Sequence, residues 1–216
     1  MAINTEKYRS LLTELTGKAT LIAVSKTKPI EDIQALYDLG QRDFGENYVQ
    51  ELVDKSAVLP KDIRWHFIGH LQSNKVKFIA PFVYLIHGVD SISLLKEINK
   101  EAAKNKRAID CLLQIHIASE ETKFGLDSDE LTTITKGSDQ FKNVNIIGLM
   151  GMASFSDNIG LVRTEFNILR SLYKEHPSFS ILSMGMSGDY AIAVEEGSNM
   201  VRIGSLLFGE RNYKKS

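Results

Sequence analysis

Lys26 stands at the exit of the apolar run TLIAVS, where a strand would hold an amine at the rim of a buried layer. A lysine desolvated in that way titrates below its usual range and can attack an aldehyde. Two later runs end in groups of a different kind. FSILSM continues into GMSG, which brings Ser183, Gly185, Ser187 and Gly188, and MVRIGS closes on Gly204 and Ser205. Hydroxyls, glycines and free backbone N–H groups at the starts of helices make a cradle for an anion. Arg202 lies just before the Gly204 turn, so it can face the body of a ligand whose anionic end the loop holds.

Such groups act together only if their strands end on one face. Short β-rich runs alternate with helical patterns along the chain: TLIAVS, RDFGE, RWHFIG, VYLIHGV, DCLLQIHI, NIIGLM, FSILSM and MVRIGS are the strand candidates. Between them, apolar residues recur three or four apart, as in Ile92, Leu95 and Ile98 or Val162, Phe166, Leu169 and Leu172. Gly40, Gly137 and Gly197 follow helical patterns where a left-handed cap is wanted. Eight βα steps in 216 residues favour an α/β fold of the closed (β/α)8 type. That barrel commonly runs to about 250 residues. A doubly wound open sheet gives the same local pattern and is the competitor. Residues 4–16 read as an extra N-terminal helix that would cover the bottom of the barrel. No linker or repeat divides residues 1–216, so a single domain is expected.

In a barrel the working residues lie at the C-terminal strand ends, and the loops after strands seven and eight are the usual phosphate site. Glycines that only turn the chain and serines that only cap helices explain either loop alone. Two neighbouring loops of one character favour a phosphate. A phosphate, an aldehyde captured by lysine and a cation beneath a ring together describe pyridoxal phosphate. A phosphosugar Schiff-base aldolase fits the residue types nearly as well.

The stretches AVSKTKP, FGENYVQE, WHFIGHLQSNK, HGVDS, KFGL, GLMGMA, LSMGMSGD and VRIGSLLFGER resemble the pyridoxal phosphate homeostasis proteins, formerly called the YggS or proline-synthetase co-transcribed family. The resemblance runs through nearly the whole chain, in order. It implies a single TIM barrel similar to the N-terminal barrel of alanine racemase, the type III fold of pyridoxal phosphate proteins. It also implies that Lys26 carries the cofactor as an internal aldimine and that Arg202 faces the pyridine nitrogen. Ser183, Gly204 and Ser205 would hold the phosphate, with Asn47, His70 and Met150 near the cofactor. Arginine stays charged, so the ring nitrogen would remain unprotonated and the ring a weaker electron sink than one paired with aspartate.

The function so implied is a carrier that maintains pyridoxal phosphate supply without robust catalysis of its own, its recipients being pyridoxal phosphate-dependent apoenzymes. The alternative is a weak or specialised amino-acid racemase. Racemases of this fold draw a second base, a tyrosine, from a C-terminal domain. This sequence stops at Ser216, soon after the eighth strand, so no such domain is expected and Tyr213 reads as a surface residue.

Other features point away from further chemistry. The net charge of −1 gives no reason to expect nucleic acid or a membrane surface as partner. The N-terminus lacks the apolar run of a secretion signal and no segment reaches membrane-span length, so a cytoplasmic location is expected. The single cysteine, Cys111, reads as buried and inert. His66 and His70 have a spacing seen in metal sites, yet a strand running into a loop does not place both on one face, so no metal is expected. Glu120, Glu121 and Lys123 read as a solvated loop. Monomer and homodimer are equally open.

Overall fold

The structure is a computed structural model that describes residues 3–118 and 125–209. Tyr213 and the Glu120, Glu121 and Lys123 loop lie outside the described residues.

The described strands are β1 (Thr20–Val24), β2 (Asp43–Glu46), β3 (Arg64–Phe67), β4 (Leu85–Val89), β5 (Ile109–Gln114), β6 (Val144–Met150), β7 (Ile181–Ser183) and β8 (Met200–Ile203). All neighbours are parallel, and the sheet closes in sequence order. Thr20 to Ala23 of β1 lie in register with Met200 to Ile203 of β8. An open doubly wound sheet leaves its two edge strands half-unpaired, and closure removes such edges.

Outside the barrel lie α1 (Thr5–Leu15), α2 (Ile30–Asp38), α3 (Val49–Val58), α4 (Val76–Ile79), α5 (Ile92–Lys104), α6 (Ser128–Lys136), α7 (Ile159–Lys174), α8 (Tyr190–Glu195) and α9 (Ser205–Phe208). Polar side chains cap the starts of α1, α5, α6 and α7. Ser91 and Asn158 accept N–H groups of α5 and α7, and Asp127 forms a capping box with Glu130 on α6. In α7, Val162, Phe166 and Leu169 form the buried stripe. In α5 the stripe is Leu94, Leu95, Ile98 and Ala102, while Ile92 at the helix start is exposed. Each fully buried Leu, Ile or Phe contributes roughly 1.5–3 kcal/mol of transfer free energy.

Two apolar layers result. The larger lies between strands and helices. The smaller is a separate cluster of Ile22, Leu85, Leu112, Met150 and Met200.

The first helix departs from expectation. It does not cap the bottom of the barrel but packs on the outer wall. Asn4 N–H donates to Leu207 O of α9 at 2.8 Å, and Tyr8, Leu11 and Leu15 are buried in the outer layer. The reason lies at the other end of the chain. The helix after β8 is a single turn, too short to cover its part of the wall, and α1 fills the gap.

Candidate functional site

β1 stops at Val24, and the next three residues are clamped from outside the barrel. Ser25 Oγ donates to Glu46 Oε1 at 2.6 Å. Lys55 Nζ donates to Ser25 O, Glu46 Oε1 and Glu51 Oε1 at 2.8, 2.7 and 2.6 Å. The backbone N–H of Thr27 donates to Glu51 Oε1 at 2.6 Å, which holds Thr27 at φ 63°. That left-handed conformation is costly for a β-branched residue and persists because its surroundings impose it. Glu46 is fully buried and its Oε2 has no hydrogen-bond partner. Burial pushes its carboxyl up to about 7. The clamp fixes the one residue between Ser25 and Thr27, and Lys26 lies on the wall of a cavity of about 680 Å³ at the C-terminal end of the barrel.

The loops after β7 and β8 form the wall beside it. Gly185 adopts φ +96°, and a Cβ there would lie 2.6 Å from Ala193 Cβ, so only glycine allows this tight turn towards α8. Arg202 N–H donates to Gly185 O at 3.0 Å, and Gly204 N–H donates to Ser187 Oγ at 3.2 Å. These bonds lace the two loops together. Gly204 also passes close to β1, where a Cβ would meet Val24 O at 3.2 Å. Ser187, Gly188, Gly204 and Ser205 all line the cavity. Ser205 opens α9, and the first N–H groups of a helix have no intrahelical acceptor.

Arg202 forms part of the cavity wall while its side chain is otherwise enclosed. Nη1 donates to Ser183 Oγ at 2.6 Å and Nη2 to Gly151 O at 3.0 Å. Burial draws its guanidinium down to about 10, still well above neutrality. The loop after β6 completes the wall. It is held by Glu165, whose carboxylate accepts the N–H and the hydroxyl of Ser154 at 2.6 and 2.7 Å. Phe155 in this loop is 97% exposed at the mouth.

Lys26, Asn47, Arg202, Gly204 and Ser205 therefore share one cavity. Three other candidates lie elsewhere. Ser183 was expected at the phosphate, but its hydroxyl is fully buried beneath Arg202, bonded to that residue and 3.1 Å from His87 Nδ1. β7 ends at Ser183, so its side chain stays inside the barrel. The serine that reaches the wall is Ser187, four residues further on. Met150 is buried in the smaller apolar cluster and does not line the cavity. His70 is exposed, with Nδ1 2.9 Å from Asp90 Oδ2. His66 is enclosed in the barrel, so the two histidines do not share a site.

The residues present suit a phosphorylated aldehyde with an aromatic ring. An amine, a fixed cation and a hydroxyl-rich anion cradle line one cavity, and Asn47 Oδ1, buried there, has no hydrogen-bond partner. A ligand hydroxyl would satisfy it.

A closed parallel barrel with such a rim is that of the alanine racemase N-terminal domain, and the family of that description matches residues 1–212. The pyridoxal phosphate homeostasis protein of Aquifex aeolicus is 42% identical over 201 residues, covering 90% of this chain and 88% of that protein. PipY of Synechococcus elongatus PCC7942, solved with PLP bound, superposes with a TM-score of 0.87 at 35% identity, covering 94% of this chain and 99% of PipY. Alanine racemase from Bartonella henselae shares the fold, with a TM-score of 0.72 at 19% identity over 95% of this chain and 59% of that one. The chain belongs to the pyridoxal phosphate homeostasis protein family.

Proposed function

We propose that this protein binds pyridoxal 5′-phosphate at the rim of the barrel, holds it as a Schiff base of Lys26, and keeps the cofactor for delivery instead of using it for turnover. The observation that carries this reading is the shared cavity of Lys26, Arg202 and the Ser187–Gly188 and Gly204–Ser205 loops. The relatives' printed name and the PLP-bound PipY structure support the cofactor's identity.

Each residue has a physical task. The Lys26 amine condenses with the aldehyde, with loss of water. Ser187, Gly188, Gly204 and Ser205 receive the phosphate with hydroxyl and backbone donors. Arg202 has donors only, so it faces a ring nitrogen that keeps its lone pair and stays unprotonated. Asn47 meets the ring hydroxyl. Ser183 acts through Arg202 and not on the phosphate. When bound, the cofactor supplies an electrophilic carbon and an electron-withdrawing ring.

The test is direct. Protein incubated with pyridoxal phosphate is reduced with borohydride, digested and weighed. The expected adduct is on Lys26 and is lost in Lys26→Ala; an adduct spread over surface lysines, or none, overturns the site. Delivery is measured by reactivation of a pyridoxal phosphate-dependent apoenzyme by the loaded protein. Conversion of any L-amino acid at enzymatic rates would replace the carrier with a racemase or related enzyme.

A further inference from the structure

A line of buried side chains leads from Arg202 down through the barrel to the bottom of β2. Arg202 Nη1 lies 2.6 Å from Ser183 Oγ, which lies 3.1 Å from His87 Nδ1. His87 Nε2 is 3.0 Å from His66 Nδ1, and His66 Nε2 is 3.0 Å from Asp43 Oδ1. Asp43 is gripped by Arg64, Nε to Oδ1 at 2.7 Å and Nη2 to Oδ2 at 2.5 Å. Ser183, His87 and His66 are fully buried, so no bulk water competes for their links.

The two ends dictate every link. A guanidinium can only donate and an ionised carboxylate can only accept. Burial alone would raise the Asp43 carboxyl, but the facing His66 and the paired Arg64 outweigh it and keep the group below its ordinary range, so Asp43 is the acceptor. His66 must then give its Nε2 hydrogen to Asp43 and accept at Nδ1. His87 gives its Nε2 hydrogen to His66 and accepts at Nδ1. Ser183 gives its hydrogen to His87 and accepts from Arg202. Both rings are neutral, in the same tautomer, and all donors point from Arg202 towards Asp43. Burial, which lowers the affinity of both imidazoles for a second proton, agrees with this.

We propose that His66 and His87 are positioning residues that, through Ser183, hold Arg202 as an aligned donor for the ring nitrogen of the bound cofactor. This rests on the reading that the ring nitrogen faces Arg202. The mechanism is local. Because Ser183 gives its own hydrogen away, its oxygen is a better acceptor for the guanidinium. With Gly151 O taking the second nitrogen, the plane of Arg202 is set and its remaining N–H groups are left for the cavity.

Two measurements test it. The first needs no cofactor: nitrogen-15 spectra of the histidine side chains at neutral pH. Neutral rings with hydrogen on Nε2 are expected for both His66 and His87. An imidazolium, or hydrogen on Nδ1 in either ring, breaks the line and overturns the proposal. The second compares pyridoxal 5′-phosphate with its analogue carrying carbon in place of the ring nitrogen. His87→Leu and Ser183→Ala should each lower affinity for the natural cofactor about tenfold, the scale of one charge-assisted hydrogen bond, and leave the analogue's affinity nearly unchanged. His87→Asn, which keeps an acceptor near Ser183, should recover part of the loss. Equal losses for both ligands would mean a merely structural role and overturn the proposal. Failure of the unaltered protein to bind pyridoxal phosphate would instead strike the functional reading, and with it Arg202's target, whatever the tautomers.

Discussion

Ser187 and Ser205 present hydroxyls to one cavity from loops that are bonded to each other. Changing either to alanine should weaken retention of pyridoxal phosphate by about 1.5–3 kcal/mol, the range for a hydrogen bond to a charged group, measured by equilibrium dialysis. An unchanged affinity would remove that hydroxyl from the phosphate site. Ser183 and Ser187 also show where the sequence could and could not be read. Both serines were visible, but the strand end that separates an inward side chain from a wall side chain was not. Lys26, Arg202, Gly204 and Ser205 were readable as one cluster because barrels collect polar groups at strand ends. The pairing of His66 with His87 is not legible in the sequence because parallel strands are buried on both faces, so polarity does not alternate visibly along them. The one available signal was a polar residue in each of two neighbouring apolar runs.

At the scale of elements, the turn after β1 is held by groups on β2 and α3. One lysine, Lys55, serves two carboxylates there. Glu46 has an ordinary value of 4.5 and is raised to about 7 in the fold. The folded protein therefore binds this proton more tightly than the unfolded chain does. Its contribution to stability is complete below the unfolded value and is lost as pH rises through about 7. Urea unfolding should show stability declining across that window by up to about 1.4 kcal/mol per pH unit from this group, and Glu46→Gln should flatten the slope. A slope that survives the substitution would assign the effect to another group. The sequence showed Glu46 at a strand end but not its contact with Lys55. That contact depends on how α3 packs, which spacing along the chain does not reveal.

For the whole molecule, closure of the barrel was legible because each βα unit can bury its apolar face only against the next, and the count came to eight. The place of α1 was not, since a buried stripe shows that a helix packs but not against what. Leu11 is fully buried on this helix. Leu11→Ala should cost about 2–5 kcal/mol in thermal or urea unfolding, as for other enclosed leucines. A helix lying loosely across the barrel bottom would tolerate the change. Cys111 on β5 is likewise fully enclosed, and burial pushes its thiol far above the usual range. The chain's sole sulfhydryl thus becomes a clock for opening: a thiol reagent reacts only as fast as the barrel comes apart. Labelling with and without pyridoxal phosphate would weigh the cofactor's grip on the fold by timing alone, and slower labelling of the loaded protein is the expected result.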